Sequence, residues 1–259
     1  MMNFILKFIY SLSLYSLYLC ISCQQQDHLI QIKGNEIEVD SSIPQDSTII
    51  NYSTPYKIHI DKNLDSILAY APKTCIKSDG TLNTAIGNLM ADIVKEQTDP
   101  VFKSRTGNSI SMVLLNFGGI RAPLVKGDIT ARTAYQIMPF ENSVVVVEMK
   151  GTQIKKMLAY LCKAQIAHPI SGLNLIVDDN FKLKQATIND MKIEDSTTYY
   201  VATNDYLYNG GDGMDFFREA GQVHYTNYKI RNAMIDYFKK EDTIAPVPDH
   251  RFIQNTESY

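Results

Sequence analysis

The chain has 259 residues, 45% of them hydrophobic and 20% charged, which supplies enough apolar material for a sizeable core and excludes a low-complexity or disordered polypeptide. A formal net charge of −3 excludes the basic excess of a dedicated nucleic-acid binder, so no nucleic-acid polymer is expected as a partner. Sixteen tyrosines and no tryptophan favour strands and aromatic contact surfaces.

Residues 1–22 carry a single basic residue, Lys7, ahead of an apolar run that ends near Ile21. The run is short for a membrane span and broken by Ser and Tyr, so it reads as a secretion signal. Ser22 directly before Cys23 resembles a bacterial lipoprotein cleavage site, which makes Cys23 the expected lipid-attachment residue. Cys20, preceded by bulky Leu19, fits less well. Residues 23–55 then form a polar tether, with a short strand allowed at residues 37–39, and the folded domain is expected over residues 56–259. The resulting expectation is an extracytoplasmic, membrane-anchored lipoprotein, periplasmic or at the cell surface, with an uncleaved anchor and ordinary secretion as the alternatives. Cys75 and Cys162 remain in the folded part, where a disulfide and two free thiols are both compatible with the sequence.

Leu64, Ile67, Leu68 and Ala71 fall at helical spacing before Pro72. Leu82, Ile86, Leu89, Met90, Ile93 and Val94 form a clear helical stripe that is expected to stop before Pro100. Gly87 inside it implies close packing against a neighbour. Residues 110–115 read as a buried strand that runs into a glycine-bearing loop, Asn116-Phe117-Gly118-Gly119-Ile120-Arg121. Asp128-Ile129-Thr130 can cap a helix over residues 131–137, closed by Pro139. The β-branched run at residues 144–149 reads as a central strand, and Gly151 leads into a helix carrying Ile154, Met157, Leu158 and Leu161. Residues 173–177, 181–183 and 199–203 read as further strands, with Asp178-Asp179-Asn180 as a hairpin turn. A second glycine loop, Asn209-Gly210-Gly211-Asp212-Gly213, follows Tyr206-Leu207-Tyr208, and a last helix covers residues 228–239. Taken together, the pattern predicts a mixed α/β (α+β) domain, a layered sandwich of helices and mixed sheets.

The second loop combines bare backbone, one fixed carboxylate and adjacent aromatics, which suits a flat ring carrying hydroxyls. Four stretches carry a resemblance: residues 87–92 (Gly87-Asn88-Leu89-Met90-Ala91-Asp92), the Asn116–Arg121 loop, Pro139-Phe140-Glu141-Asn142 running on to Lys150-Gly151, and the Asn209–Gly213 loop. In this order they resemble the C-terminal domain of bacterial periplasmic and animal ecto 5′-nucleotidases, over about residues 56–253. The resemblance implies a nucleoside- or nucleotide-binding domain in which the base lies between two aromatics. Phe140 would be one wall and Tyr206 the other, with Tyr208 as the alternative. Asp212 would hold the ribose hydroxyls, Asn116 would meet the base edge and Arg121 would lie near the phosphate. Gly118, Gly119 and Asn209 complete the implied binding set.

Two departures qualify the resemblance. The family has a further Arg just upstream of the Gly-Asn pair, whereas residues 81–86 contain no basic residue, which sets nucleosides beside nucleotides as expected ligands. The family's metallophosphatase motifs are also missing. His28, His59, His168, His224 and His250 lie in no such motif and are expected at surface or satisfied positions, as are the Lys155-Lys156 and Lys239-Lys240 pairs. No catalytic residue, no metal ligand and no cofactor are therefore expected in this chain. It is expected to be inactive alone, with divalent metals held by a partner metallophosphatase chain. The alternatives are a non-enzymatic nucleoside-binding lipoprotein and a degenerate interaction scaffold.

Overall fold

The computed structural model describes residues 2–20 and 31–255, so Cys23, the expected lipid-attachment residue, lies outside the described residues. The chain separates into two units, up to Asn51 and from Tyr52 onward. The first contains helix α1 (Met2–Cys20), which coincides with most of the apolar run, and an extended stretch that includes residues 37–39 without forming a strand there. Among the described residues no helix is long and apolar enough to cross a membrane. Helix α2 (Ser47–Leu64) contains Pro55, so helical order begins earlier than residue 56.

In the second unit the elements run β1 (Ile67–Ala71), α3 (Ala85–Thr106), β2 (Met112–Leu114), β3 (Gly127–Thr130), α4 (Ala131–Ile137), β4 (Ser143–Lys150), α5 (Gly151–Ala164), β5 (Ile170–Ser171), β6 (Leu173–Val177), β7 (Leu183–Ile188), β8 (Met191–Lys192), β9 (Thr198–Asn204), α6 (Asp205–Tyr208), β10 (Val223–Lys229), α7 (Ile230–Phe238) and β11 (Phe252–Gln254). A five-stranded sheet in the order β10-β4-β9-β2-β5 forms the middle layer. A four-stranded sheet, β11-β6-β7-β8, and the pair β1-β3 complete the strands.

The valine run of β4 shows why the middle layer is buried on both faces. Strand side chains alternate, so Val144 and Val146 join one core with α3, α4 and α7. Val145, Val147 and Met149 join a second core with α5, β6 and β11. Each fully buried valine contributes about 1.5–3 kcal/mol, and a polar residue on either face would lose that and leave a polar group unsatisfied. The prediction of a layered α+β sandwich matches this architecture.

Several local expectations differ from the structure for identifiable reasons. Residues 67–71 form a strand, because Ala69 and Ala71 alternate into the core and Ile67 pairs with Thr130 of β3. Positions i, i+3, i+4 and i+7 had matched a helix equally well. Helix α3 passes through Pro100 and ends at Gly107, whose φ of 78° closes it with a bond from its N–H to the Lys103 carbonyl. A proline inside a helix costs about 3 kcal/mol, and burial of Phe102 just beyond it offsets that cost. Gly87 faces Thr84, which caps the same helix, with Pro169 just beyond. Phe181 sits at φ 57° in the turn, so the strand after it starts at Leu183. The last helix begins at Ile230, since residues 223–229 pair with β4. Cys75 and Cys162 are both free.

Candidate functional site

Strands β2 and β9 lie side by side and parallel, Met112 opposite Val201 and Val113 opposite Ala202. Both glycine loops therefore leave the sheet at the same end, where ligands of layered α/β proteins commonly bind. The antiparallel β4 starts at that end too, with Val144 opposite Asn204, which brings the Pro139–Asn142 loop to the same rim.

In the first loop Asn116 opens a single 3-10 turn, Phe117–Gly119, and Gly119 N–H donates to the Asn116 carbonyl at 3.0 Å. A Cβ on Gly119 would stand 3.1 Å from Asn116 Oδ1, so the side-chain amide lies flat on the main chain. The second loop begins with α6, which Asn204 caps by accepting from Leu207 N–H at 2.8 Å. Gly210, at φ 86°, turns the chain into the Gly211–Gly213 turn, where Asp212 itself adopts φ 54°. That left-handed angle is uncommon for a residue with a side chain, and Asp is among those that tolerate it.

The two loops are joined through one carboxylate. Asp212 Oδ2 accepts from Asn116 Nδ2 at 2.8 Å, and Oδ1 accepts from the Tyr206 hydroxyl at 2.8 Å. The bond to Asp212 raises the Tyr206 phenol above its usual range. Tyr160 of α5 donates to the Asp212 backbone carbonyl, also at 2.8 Å. The Tyr206 ring lies against Gly211, where a Cβ would come within 2.4 Å of the ring.

Phe140 is held from behind. Arg231, with its side chain 4% exposed, donates from Nη1 to the carbonyls of Pro139 and Phe140 at 3.3 Å each, and from Nη2 to Glu141. Its guanidinium also stacks on Tyr135 at 4.0 Å. Lys229 reaches Glu141 as well. Hydrogen bonds from Lys229 and then Arg231 hold the Glu141 carboxyl down to about 2.

These pieces enclose a cavity of about 310 Å³ lined by Asn116, Gly118, Gly119, Arg121, Phe140, Asn142, Tyr206 and Asp212. Phe140 is 42% and Tyr206 46% exposed, so both rings present a face to it. The Arg121 guanidinium stands 5.9 Å from the Phe140 ring centre, and no carboxylate among the described residues pairs with it. A larger cleft of about 570 Å³ lies at β6, β7 and the segment leading to β11. Four of its polar side chains are committed to each other, Asn174 to Asp190 and Arg251 to Asp249, and among the described residues no aromatic ring other than His250 lines it. Of the two, the smaller cavity combines aromatic faces, a fixed carboxylate, bare backbone and a free cation.

Seven of the eight expected binding residues thus meet around one cavity. Asn209 does not line it: its amide turns back to the Asp205 carbonyl at 2.7 Å and closes α6. Tyr208 packs edge-on against Tyr225 and away from the cavity, leaving Tyr206 as the second wall. Asn142 is a lining residue that the sequence reading passed over although it sits two positions after Phe140. The supporting residues Arg231 and Tyr160 carry no local motif that marks them. His168, expected at the surface or satisfied, is 6% exposed and its Nε2 has no partner. Among the described residues no three His, Cys, Asp or Glu side chains cluster to hold a metal ion.

Fold and cavity together define an α+β domain whose candidate site is built from three loops at one end of the central sheet. Residues 71–219 match the family model of the 5′-nucleotidase C-terminal domain, and the chain belongs to that family. Human 5′-nucleotidase is 25% identical over 282 residues, covering 96% of this chain and 48% of its own length. The trifunctional nucleotide phosphoesterase of Bacillus subtilis is 31% identical over 167 residues, covering 58% of this chain and 11% of the relative. Among solved structures, the 5′-nucleotidase precursor of Thermus thermophilus superimposes with a TM-score of 0.67 at 23% identity, covering 81% of this chain and 43% of that one. The chain spans about half the length of the first curated relatives it matches.

Proposed function

We propose that this domain recognises a nucleoside or nucleotide as the specificity half of a 5′-nucleotidase-type phosphohydrolase. The observation that carries the reading is the placement of two exposed aromatic faces, Phe140 and Tyr206, on one cavity with the Asp212 carboxylate. A base stacked on an aromatic gains about 1–3 kcal/mol, and a carboxylate accepts from ribose hydroxyls. The unpaired Arg121 guanidinium offers a fork for phosphate. Water activation and phosphate cleavage require metals held outside these 259 residues, by a metallophosphatase chain that docks with this one. This domain then contributes orientation of base and sugar. Anchoring through Cys23 outside the cytoplasm is part of the same proposal.

Two measurements test it. Calorimetric titration with adenosine, AMP and UDP-glucose should give saturable heat with at least one; silence with all three favours the scaffold alternative. The isolated protein should show no phosphatase activity with Mn²⁺, Zn²⁺ or Co²⁺, and robust turnover would refute the division of labour. One observation favours a second reading, a nucleoside-binding lipoprotein without an enzymatic partner: Arg121 is the one cationic side chain lining the cavity among the described residues. Adenosine binding as tightly as AMP would support that reading.

A further inference from the structure

His168 stands just before β5, outside every motif named above, yet it touches the machinery of both glycine loops. Its Nδ1 accepts the Phe117 backbone N–H at 3.2 Å, the amide directly after Asn116. Its ring packs on Tyr160 with centres 5.9 Å apart, and Tyr160 donates to the Asp212 carbonyl. An accepting Nδ1 places the neutral ring's proton on Nε2. That N–H is buried and has no partner with hydrogen-bond geometry, although the Leu115 backbone acts on the ring. An unmet buried donor costs about 1–3 kcal/mol, so the histidine is poorly explained as a mere stabiliser of the fold. A phenylalanine would fill the same space and remove that donor, but it would leave the Phe117 N–H without its acceptor.

We infer that His168 is a positioning residue for nucleoside binding, whose neutral ring locks the Asn116 loop and the Asp212 loop in register from beneath the cavity. The inference rests on the nucleoside reading above. Geometry also makes the lock sensitive to acid. A second proton must go on Nδ1, where it would face the Phe117 N–H, donor against donor, and the contact would break.

Among the described residues, the titratable groups acting on the ring are Tyr160 of α5 and Asp212 of the second loop. Burial pushes the imidazole below its usual range, with Asp212 and then the Leu115 backbone acting the other way. The lock therefore holds at and above the unperturbed histidine value of about 6.5, and it fails only in more acid solution, as pH falls through the depressed value of the buried ring.

Adenosine affinity is to be measured by calorimetry across this range for wild type, His168→Phe and His168→Asn. Phe keeps the ring volume and removes the acceptor, whereas Asn keeps an acceptor that does not titrate. Wild-type affinity should be constant at neutral pH and fall in acid. His168→Phe should melt close to wild type, one unmet donor replacing another, yet bind about three- to tenfold more weakly at neutral pH, the worth of one hydrogen bond. His168→Asn should restore most of the affinity and flatten the pH profile. Wild-type binding with unchanged affinity in His168→Phe would overturn the inference alone. No adenosine binding by wild type would overturn the nucleoside reading and this role with it. Imidazole ¹⁵N shifts give a ligand-independent arm: a proton on Nδ1 at neutral pH would contradict the assigned lock.

Discussion

Gly211→Ala isolates the aromatic wall from everything else in the domain. The backbone at Gly211 is outside the left-handed region, so alanine meets no conformational strain there. The whole effect comes from contact. The added Cβ would lie 2.4, 2.5 and 2.6 Å from three atoms of the Tyr206 ring. Carbon atoms rest at about 3.5–4.0 Å, so the ring must retreat by about 1 Å or more. Tyr206 is 46% exposed, which lets it swing towards solvent instead of unfolding the loop. The hydroxyl then leaves Asp212 Oδ1, and the wall leaves the cavity. Stability should fall by about 1 kcal/mol or less, the net worth of the lost hydrogen bond. Affinity for adenosine should fall by the stacking energy, about 1–3 kcal/mol, or roughly 5- to 150-fold. Calorimetry on Gly211→Ala, Tyr206→Ala and the double variant forms a thermodynamic cycle. Once Tyr206 is gone, the alanine should cost almost nothing further. Wild-type affinity in Gly211→Ala, or full additivity in the double variant, would refute the placement of Tyr206 as the wall.

Two further outcomes follow from the support of Phe140. Arg231→Met keeps the stem but leaves the Pro139 and Phe140 carbonyls without their donor. It should destabilise the domain by about 1–3 kcal/mol in denaturant unfolding, and weaken adenosine binding by loosening the loop. Glu141 should show in the acid limb of stability. Its folded value of about 2 lies below the ordinary 4.5, so its contribution is present above 4.5 and is lost as pH falls towards 2. The carboxylate is exposed, which keeps the effect small. Asp65 and Asp249 are shifted in the same direction, so the quantity to read is the difference between wild type and Glu141→Gln. That difference should shrink across this window and be flat at neutral pH; a difference independent of pH would count against the pairing with Lys229 and Arg231.

The layers were legible because burial on two faces leaves a continuous β-branched run, as at residues 144–149, and burial on one face leaves a stripe, as on α5. Strands of two or three residues such as β5, β8 and β11 were not, since so few positions define no period. Strand β10 was hidden by its polar sequence, Val-His-Tyr-Thr-Asn-Tyr-Lys, and its pairing with β4 is irregular between Tyr225 and Tyr228. At the site, residues on glycine loops could be read because loop chemistry is local. The supports could not. Arg231, Tyr160 and His168 act across 51 to 92 positions of sequence, and nothing nearby marks them. Asn209 failed for the opposite reason. It sits inside the motif, but its amide closes the preceding helix.

The central claim is that Phe140, Tyr206 and Asp212 form one nucleoside site. Titration of adenosine into wild type, Phe140→Ala and Asp212→Ala, each checked for an intact fold, tests it most directly. Saturable binding to wild type, reduced by about tenfold or more in each variant, is the result the account predicts. Equal affinity in all three proteins would place any bound nucleoside elsewhere, and absence of binding to wild type would contradict the claim outright.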